Sequence, residues 1–176
     1  LGPDHPATLA SRGNFANVLL RSGDPWAAGT LYRECYSTRE GTQGRDHPET
    51  LLALNNLAAY YLETDNLSEA KHHFRRCLEG RQKTLGPQHP ETLQTQENLA
   101  ITLRKDGELE EAATLARASL VGRKSALGPA HPATFGAMGT LADILRDQKQ
   151  TEAASELYED ALLGLRETRG PAHPET

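Results

Sequence analysis

Asparagine recurs at an interval of 42 residues, at Asn14, Asn56 and Asn98, and Thr140 takes the fourth place in this series. A carboxamide offers two donor hydrogens and an acceptor oxygen, so a column of such groups suits the C=O and N–H groups of an extended peptide backbone. Asparagine is also a poor helix former, so its recurrence needs a reason. That reason is either contact with a bound peptide or a hydrogen bond between helices, and the residues alone leave both open.

Histidine follows the same interval, at positions 5, 47, 89, 131 and 173. A metal site needs nitrogen ligands about 2.0–2.1 Å from one ion, and residues separated by a whole repeat lie too far apart to share it. We therefore predict a structural role for these histidines and no metal site. The adjacent pair His72 and His73, beside Glu69, is interpreted as part of a solvated helix face.

Composition and motifs argue against several classes of function. The net charge of −5 does not suit binding to a phosphate backbone, and no apolar run approaches the ~18 residues of a membrane span. The sequence contains no Gly-x-x-x-x-Gly-Lys-Ser/Thr phosphate loop, no Gly-x-Ser-x-Gly nucleophile elbow and no His-Glu-x-x-His pair. We therefore predict no enzymatic activity, no cofactor, no nucleic-acid partner and no membrane segment.

The elements that position these columns are set by a recurring segment of the form Gly-x-x-His-Pro-x-Thr. In its third copy Gly86 suits the left-handed conformation that closes a helix. His89 precedes a proline and is therefore pushed toward extended backbone outside a helix. Pro90 fits the first helical turn, where its missing N–H costs nothing. Each copy therefore ends one helix and starts the next.

The period divides the chain into repeats 1–42, 43–84, 85–126 and 127–168, and residues 169–176 begin a further one. A fixed period of this length indicates stacked structural repeats. Each repeat is predicted to form an antiparallel helix pair, so the fold class is all-α. The expected helices of the first two repeats are 6–22, 25–42, 48–64 and 68–84. Both ends read as cuts through a longer array, because Leu1 corresponds to the last residue of a helix and no initiator Met is present.

Recurrent small and large residues define the expected contacts between the helices of each pair. Alanine occupies two columns, and we predict that the backbones of the paired helices approach closely there. A column of larger residues adjoins the first of them, and another lies in the second helix. The alanine columns are 16, 58, 100, 142 and 28, 70, 112, 154; the larger residues include Phe15, Leu57, Leu99, Leu141, Tyr32, Phe74 and Tyr158.

The second repeat carries a specific resemblance. It reads Leu54-x-x-Leu57-Ala58-x-x-Tyr61, followed by Ala70-x-x-x-Phe74-x-x-Cys77. This resembles the tetratricopeptide pattern, and the 42-residue period is similar to that of kinesin light chain type arrays. The resemblance implies a right-handed superhelical solenoid of antiparallel helix pairs. It also implies a concave groove lined by the first helices, in which asparagines of the matching helix contact peptides of protein partners.

The two cysteines, Cys35 and Cys77, share a column with Ser119 and Ala161. Helices pack 8–10 Å apart, so one repeat of two helices separates the thiols by roughly 20 Å. A disulfide needs Cα atoms within about 7 Å. We therefore predict small core residues without a disulfide, in keeping with a reducing, cytoplasmic setting.

The candidate peptide-binding face lies opposite the core stripe of each first helix, at 100° per residue. Flanking polar and charged residues add hydrogen bonds and rim charge. The candidate set is Asn14, Asn17, Asn56, Asn98, Thr140, Asp143, Arg104 and Arg146.

Two classes of function remain. The first is a non-catalytic module that binds a peptide segment of a protein partner in its concave groove. The second is a structural or self-associating spacer, or a sensor region of a larger multidomain protein, with self-association through uncapped ends.

Overall fold

Helices form every regular element in the described part of the chain, which in this computed structural model comprises Gly2 and residues 4–169. The predicted all-α fold class is confirmed. The helix ends of the first two repeats lie within a residue of prediction; Ser22, for example, is a C-cap and not the last helical residue. The helices are α1 Pro6–Arg21, α2 Pro25–Gln43, α3 Pro48–Glu63, α4 Leu67–Thr84, α5 Pro90–Lys105, α6 Leu109–Leu127, α7 Pro132–Asp147 and α8 Thr151–Arg169.

Two compact units divide the chain, Leu1–Thr84 and Leu85–Thr176. The first contains the hairpins α1–α2 and α3–α4, and the second contains α5–α6 and α7–α8. That residues 1–176 form one domain of four repeats stays a prediction. The further repeat predicted to start at 169–176 lies outside the described residues, apart from the last residue of α8.

Histidine caps the first helix of each hairpin. Its backbone is extended, and its Nδ1 accepts a hydrogen bond from the N–H two residues on, because the intervening proline has no N–H to offer. The four Nδ1···N distances are 3.1–3.3 Å, and the residues are His5, His47, His89 and His131. The predicted structural role of these four histidines is confirmed, and His173 lies outside the described residues.

The close approach of paired helices is visible at the alanine columns, whose members are at most 2% exposed. A second device is glycine in the later half of the second helix. A Cβ on Gly80 would lie 2.5 Å from Cδ2 of Leu51, and one on Gly122 would lie 2.5 Å from Cδ2 of Leu93. Real Cβ atoms do not come so close, so glycine at these positions lets the first helix lie directly on the second.

The cysteine column also joins the helices of a hairpin. Cys35 and Cys77 are free and buried, as predicted. Their thiols donate to the carbonyl oxygens of Leu9 and Leu51, at 3.5 and 3.3 Å. Ser119 does the same to Leu93 at 3.2 Å. A small donor in this column therefore satisfies a carbonyl of the first helix.

The predicted burial of the large columns fails at two places. Leu57, Leu99 and Leu141 are 2–3% exposed, but Phe15 is 55% exposed. In the other column Tyr32 and Phe74 are 3% and 0% exposed, but Tyr158 is 36% exposed. A place in a column is therefore not enough to bury a side chain.

Lys149 occupies an inner turn where the first and third hairpins have glycine and the second has Asp65, whose φ is +59°. Its φ is +66°, close to the +83° of Gly107 in the equivalent turn of the preceding hairpin. A side chain with a Cβ is strained in this left-handed region by roughly 1–2 kcal/mol. The fourth hairpin therefore forms its turn at a cost that the third avoids.

A reciprocal swap tests this cost. We expect Lys149→Gly to raise the free energy of unfolding by about 0.5–1 kcal/mol, because the strain outweighs the added backbone entropy. Gly107→Lys should lower it by about 1 kcal/mol. Urea denaturation followed by circular dichroism measures both. Equal effects of the same sign would contradict a conformational origin.

Candidate functional site

The predicted binding residues fall into two sets. Asn14, Asn17 and Asn56 belong to the first unit, whereas Asn98, Arg104, Thr140, Asp143 and Arg146 belong to the second. The two sets differ in how many of their polar side chains already form hydrogen bonds or ion pairs with other residues of the chain.

A cleft of about 110 Å³ in the first unit brings two asparagines of the column together. Its walls come from α1, α2 and α3, and Asn14 and Asn56 line it with Gly13 and Leu52. Asn14 is exposed and Asn56 half-buried. Within Gly2 and residues 4–169, neither carboxamide makes a hydrogen bond. The donors and acceptors of both side chains are thus open to a ligand.

Asn17, by contrast, is engaged inside its own hairpin. Its Oδ1 accepts a hydrogen bond of 2.6 Å from the hydroxyl of Tyr32 on α2. Burial, and then the negative charge of Glu63, raises the pKa of Tyr32 to about 12. The hydroxyl therefore stays protonated as a donor, and Asn17 serves as a tie between α1 and α2.

The same tie recurs in the fourth repeat, where the hydroxyl of Tyr158 donates to Asp143 at 2.5 Å. The middle repeats lack both partners. Their two columns hold Ala59 with Phe74, and Ile101 with Ala116. The column of Asn17 and Asp143 thus holds a polar residue only in the repeats where the column of Tyr32 and Tyr158 holds a tyrosine. This correlation was readable in the sequence, and it identifies Asn17 and Asp143 as hairpin ties.

Charged groups surround Asp143. Arg104 Nη1 lies 2.8 Å from Asp143 and its Nε lies 3.0 Å from Asp147. Arg146 lies 3.1 Å from Asp143 and 3.5 Å from Asp147. Burial alone raises the pKa of the Asp143 carboxyl, but the Tyr158 hydroxyl and the two guanidinium groups outweigh it and hold the pKa below its usual value. The predicted rim charges of Arg104 and Arg146 are therefore already compensated.

Thr140 also has a partner, since its hydroxyl donates to Glu97 Oε1 at 2.9 Å. Glu97 in turn pairs with Arg123 at 2.6 Å, and both side chains are at least 85% buried. Asn98 is half-buried, and its carboxamide makes no hydrogen bond to any residue of the described range. Asn98 is therefore the residue of the second set that resembles Asn14 and Asn56 in having a carboxamide without a hydrogen-bond partner among the described residues.

A column of buried arginines was missed by the sequence reasoning. Arg39, Arg81 and Arg123 recur every 42 residues and are only 2–8% exposed. Arg39 donates to the backbone carbonyl of Glu49 at 2.9 Å and to its carboxylate at 2.5 Å. This bond joins the second helix of one hairpin to the first turn of the next. The 42-residue spacing of the arginines was the signal that could have found it.

The interpretation of His72 and His73 as a solvated face is wrong for His73. Its side chain is 16% exposed, and its ring stacks on Tyr61 with 5.5 Å between centroids. Burial lowers the pKa of His73, and neighbouring His72 adds to this. The tyrosines that bury it come from other helices, which the sequence of α4 alone does not reveal.

Comparison with known proteins identifies the fold family. The tetratricopeptide repeat family matches residues 27–83, 49–125 and 92–167. The chain belongs to the tetratricopeptide repeat family. No curated protein matches the chain.

Two crystal structures of a Podosopora anserina putative kinesin light chain with nearly identical TPR-like repeats resemble this tetratricopeptide array. Each is 25% identical and covers 96% of this chain and 80% of that one, with TM-scores of 0.83 and 0.80. BtubC (BKLC) from P. vanneervenii is 16% identical, covers 95% of this chain and 66% of that one, and has a TM-score of 0.82; it shows the fold alone. The array is of the kinesin light chain type, as the sequence indicated.

Tetratricopeptide arrays are in general protein-interaction scaffolds without catalytic activity. Among the described residues, no helix is long and apolar enough to cross a membrane. These findings leave the ligand and its place on the surface to be proposed.

Alanine substitutions distinguish open amides from hairpin ties. We expect Asn14→Ala and Asn56→Ala to leave the free energy of unfolding unchanged or to raise it by up to about 0.5 kcal/mol, because alanine is the better helix former and no hydrogen bond is lost. Tyr32→Phe should lower it by about 1 kcal/mol by removing the bond to Asn17. Urea denaturation checks all three. A loss above about 1 kcal/mol in either asparagine variant would mean a structural hydrogen bond.

Asp143 should contribute stability that depends on pH. Since the pKa of Asp143 is depressed in the folded state, its contribution is fully present above the ordinary value of about 4 and is lost as the pH falls from there through the lower folded-state pKa. We expect Asp143→Asn to cost about 1 kcal/mol at neutral pH, after allowance for solvent screening, and almost nothing in acid. Thermal unfolding across pH measures this. The exposed Asp160→Asn is the control, and a cost independent of pH would contradict the assignment.

Proposed function

We propose that this tetratricopeptide array binds a peptide segment of a partner protein on the exposed faces of its first helices, the concave side of such arrays. Asn14 and Asn56 hold the peptide backbone in the first unit, and Asn98 does so in the second. The array has no catalytic activity of its own. The observation that supports this most is that all three carboxamides are accessible and form no hydrogen bond within the described residues.

A carboxamide without a partner is well suited to hydrogen bonding with a peptide backbone, because both carry donors and acceptors. Each can donate to a peptide carbonyl and accept from a peptide N–H, whatever the peptide side chains are. Leu52, 41% exposed beside Asn56, adds apolar surface for a side chain of the peptide. The cleft therefore supports recognition of an extended segment by its backbone, with one apolar contact nearby.

The engaged residues have a different part in this proposal. Asn17 and Asp143 keep the helices of their hairpins in register, and Thr140 is bound to Glu97. Arg104 and Arg146 sit among carboxylates, so they favour polar over strongly acidic peptides. Arg146 keeps an exposed edge, with 53% of its side chain accessible, for a rim contact. Buried free thiols fit a cytoplasmic setting.

Selection from a random peptide library with immobilised protein would supply the ligand, and fluorescence anisotropy would then measure its affinity. We expect Asn14→Ala/Asn56→Ala to weaken binding at least about tenfold, because two backbone hydrogen bonds of about 1 kcal/mol are lost. Asn98→Ala tests the second unit in the same way.

Gln82→Ala, an exposed position on α4, is the matched control and should leave the affinity unchanged. Equal affinities of the wild type and the double variant would contradict the role of the asparagines. A library that yields no binder would argue for the alternative, a structural or self-associating spacer or sensor region.

A further inference from the structure

A groove of about 400 Å³ lies between α6, α7 and α8 of the second unit. It is named the leucine groove after four residues that line it, Leu120, Leu141, Leu145 and Leu157. The two leucines of α7, Leu141 and Leu145, are at most 3% exposed and form its floor. Val121 of α6 lies at its edge and is 67% exposed. Since α6 and α8 belong to neighbouring hairpins, the chain itself supplies both sides of the groove.

Aromatic rings occupy the equivalent place in the first unit, two repeats earlier in the chain. The ring of His73 stacks on that of Tyr61, with 5.5 Å between centroids, and lies 6.4 Å from that of Tyr36. Both tyrosines pack against the core cluster that contains Leu57, the equivalent of Leu141. Where the chain supplies rings, they therefore cover this part of the hairpin core.

Leucine replaces all three rings in the second unit. The equivalent pairs are Tyr36 and Leu120, Tyr61 and Leu145, and His73 and Leu157. A leucine side chain is shorter than these rings, so the space above Leu141 stays open. The volume of the groove lies within the roughly 300–1,000 Å³ of ligand pockets. An aromatic side chain buries about 150–250 Å² of surface, so a ring from another molecule is the side chain that gains most by entering.

Two charges of opposite sign lie at the edge of the leucine groove. Arg117 of α6 and Glu156 of α8 both line it, and both are exposed. Neither side chain forms an ion pair or a hydrogen bond within the described residues. Charged pairs at the rim of an interface set orientation and selectivity more than affinity. The groove is therefore complementary to a ligand with an acidic group on one side of a ring and a basic group on the other.

We propose that the leucine groove binds a short segment of a partner protein, in which an aromatic residue lies between an acidic and a basic one. The ring lies over Leu141 and Leu145, as the rings of the first unit lie over Leu57. The acidic residue pairs with Arg117 and the basic residue with Glu156. This binding is independent of the asparagine column, none of whose members lines the groove.

Indole is the probe for the aromatic part of the proposal. Its titration into the isotope-labelled chain, followed by NMR of the backbone amides, should shift the signals of Val121 and Leu157. The dissociation constant is expected on the order of 10 mM, from the affinity per atom typical of small ligands. Val121→Arg places a charged side chain at the edge of the groove and should weaken indole binding at least about tenfold. Val18→Arg, at a valine that is 59% exposed in the first unit, is the matched control and should leave it unchanged.

Restoring the rings tests the equivalence of the two units. Leu120→Tyr/Leu157→His gives the leucine groove two of the residues that fill its counterpart, so indole binding should disappear while helicity by circular dichroism is retained. A folded variant that still binds indole would contradict the proposal. If this variant does not fold, the exposed Val121→Arg decides the same question, because its side chain lies outside the core.

A peptide library with tryptophan fixed at its centre tests the charges. Peptides that bind the Val121→Arg variant are removed first, so the remaining binders require the leucine groove. These peptides are expected to carry an acidic residue on one side of the tryptophan and a basic residue on the other. Arg117→Glu/Glu156→Arg, at two exposed positions, should weaken their binding at least about tenfold, and peptides with the two charges exchanged should restore it.

Three results would overturn the proposal. They are an indole titration that shifts no signal of the groove, a library that leaves no binder after the removal step, and binders whose affinity the charge reversal does not change. Asn98→Ala should leave the affinity of these peptides unchanged, which keeps the outcome distinct from that of the proposed function. A loss of affinity in that variant would assign the peptides to the asparagine column and contradict a separate site.

Discussion

Close packing of the two helices in each hairpin is the constraint on which the rest of the structure depends. Alanine on both helices, and glycine beneath Leu51 and Leu93, bring the backbones together. This contact occupies one face of each first helix, and a polar side chain there needs a partner inside the hairpin, as Gln96 has in the carbonyl of Leu115. The unengaged carboxamides of Asn14 and Asn56 instead line the cleft in the first unit.

The hairpins and their ends followed from the sequence because their causes are local. Proline, glycine and the histidine before proline act on the backbone within a few residues, so the helix ends were predicted to within one position in the first two repeats. Buried columns followed from the period, which repeats the same environment. Phe15 and Tyr158 are the exceptions, because burial depends on a neighbouring surface and not on the residue itself.

The candidate site was harder to predict, because its polar residues differ in their partners and not in their types. Asn14 and Asn17 lie one turn apart on α1, yet only Asn17 meets a tyrosine hydroxyl. Asp143 and Arg104 form an ion pair between different hairpins, which no pattern within one repeat reveals. The positions of all four were correctly placed on first helices, but their roles depended on side chains of neighbouring helices.

The buried arginines limit how such an array can grow by duplication. Arg39 pairs with the carboxylate of Glu49 in the following hairpin. Arg123 pairs with Glu97 of its own hairpin, because the following hairpin has Ala133 at the position equivalent to Glu49. A copied hairpin is therefore accepted only beside a neighbour that completes its charge. Repeats of equal length and similar shape therefore cannot be exchanged freely, because each buried arginine needs its carboxylate partner in the right hairpin.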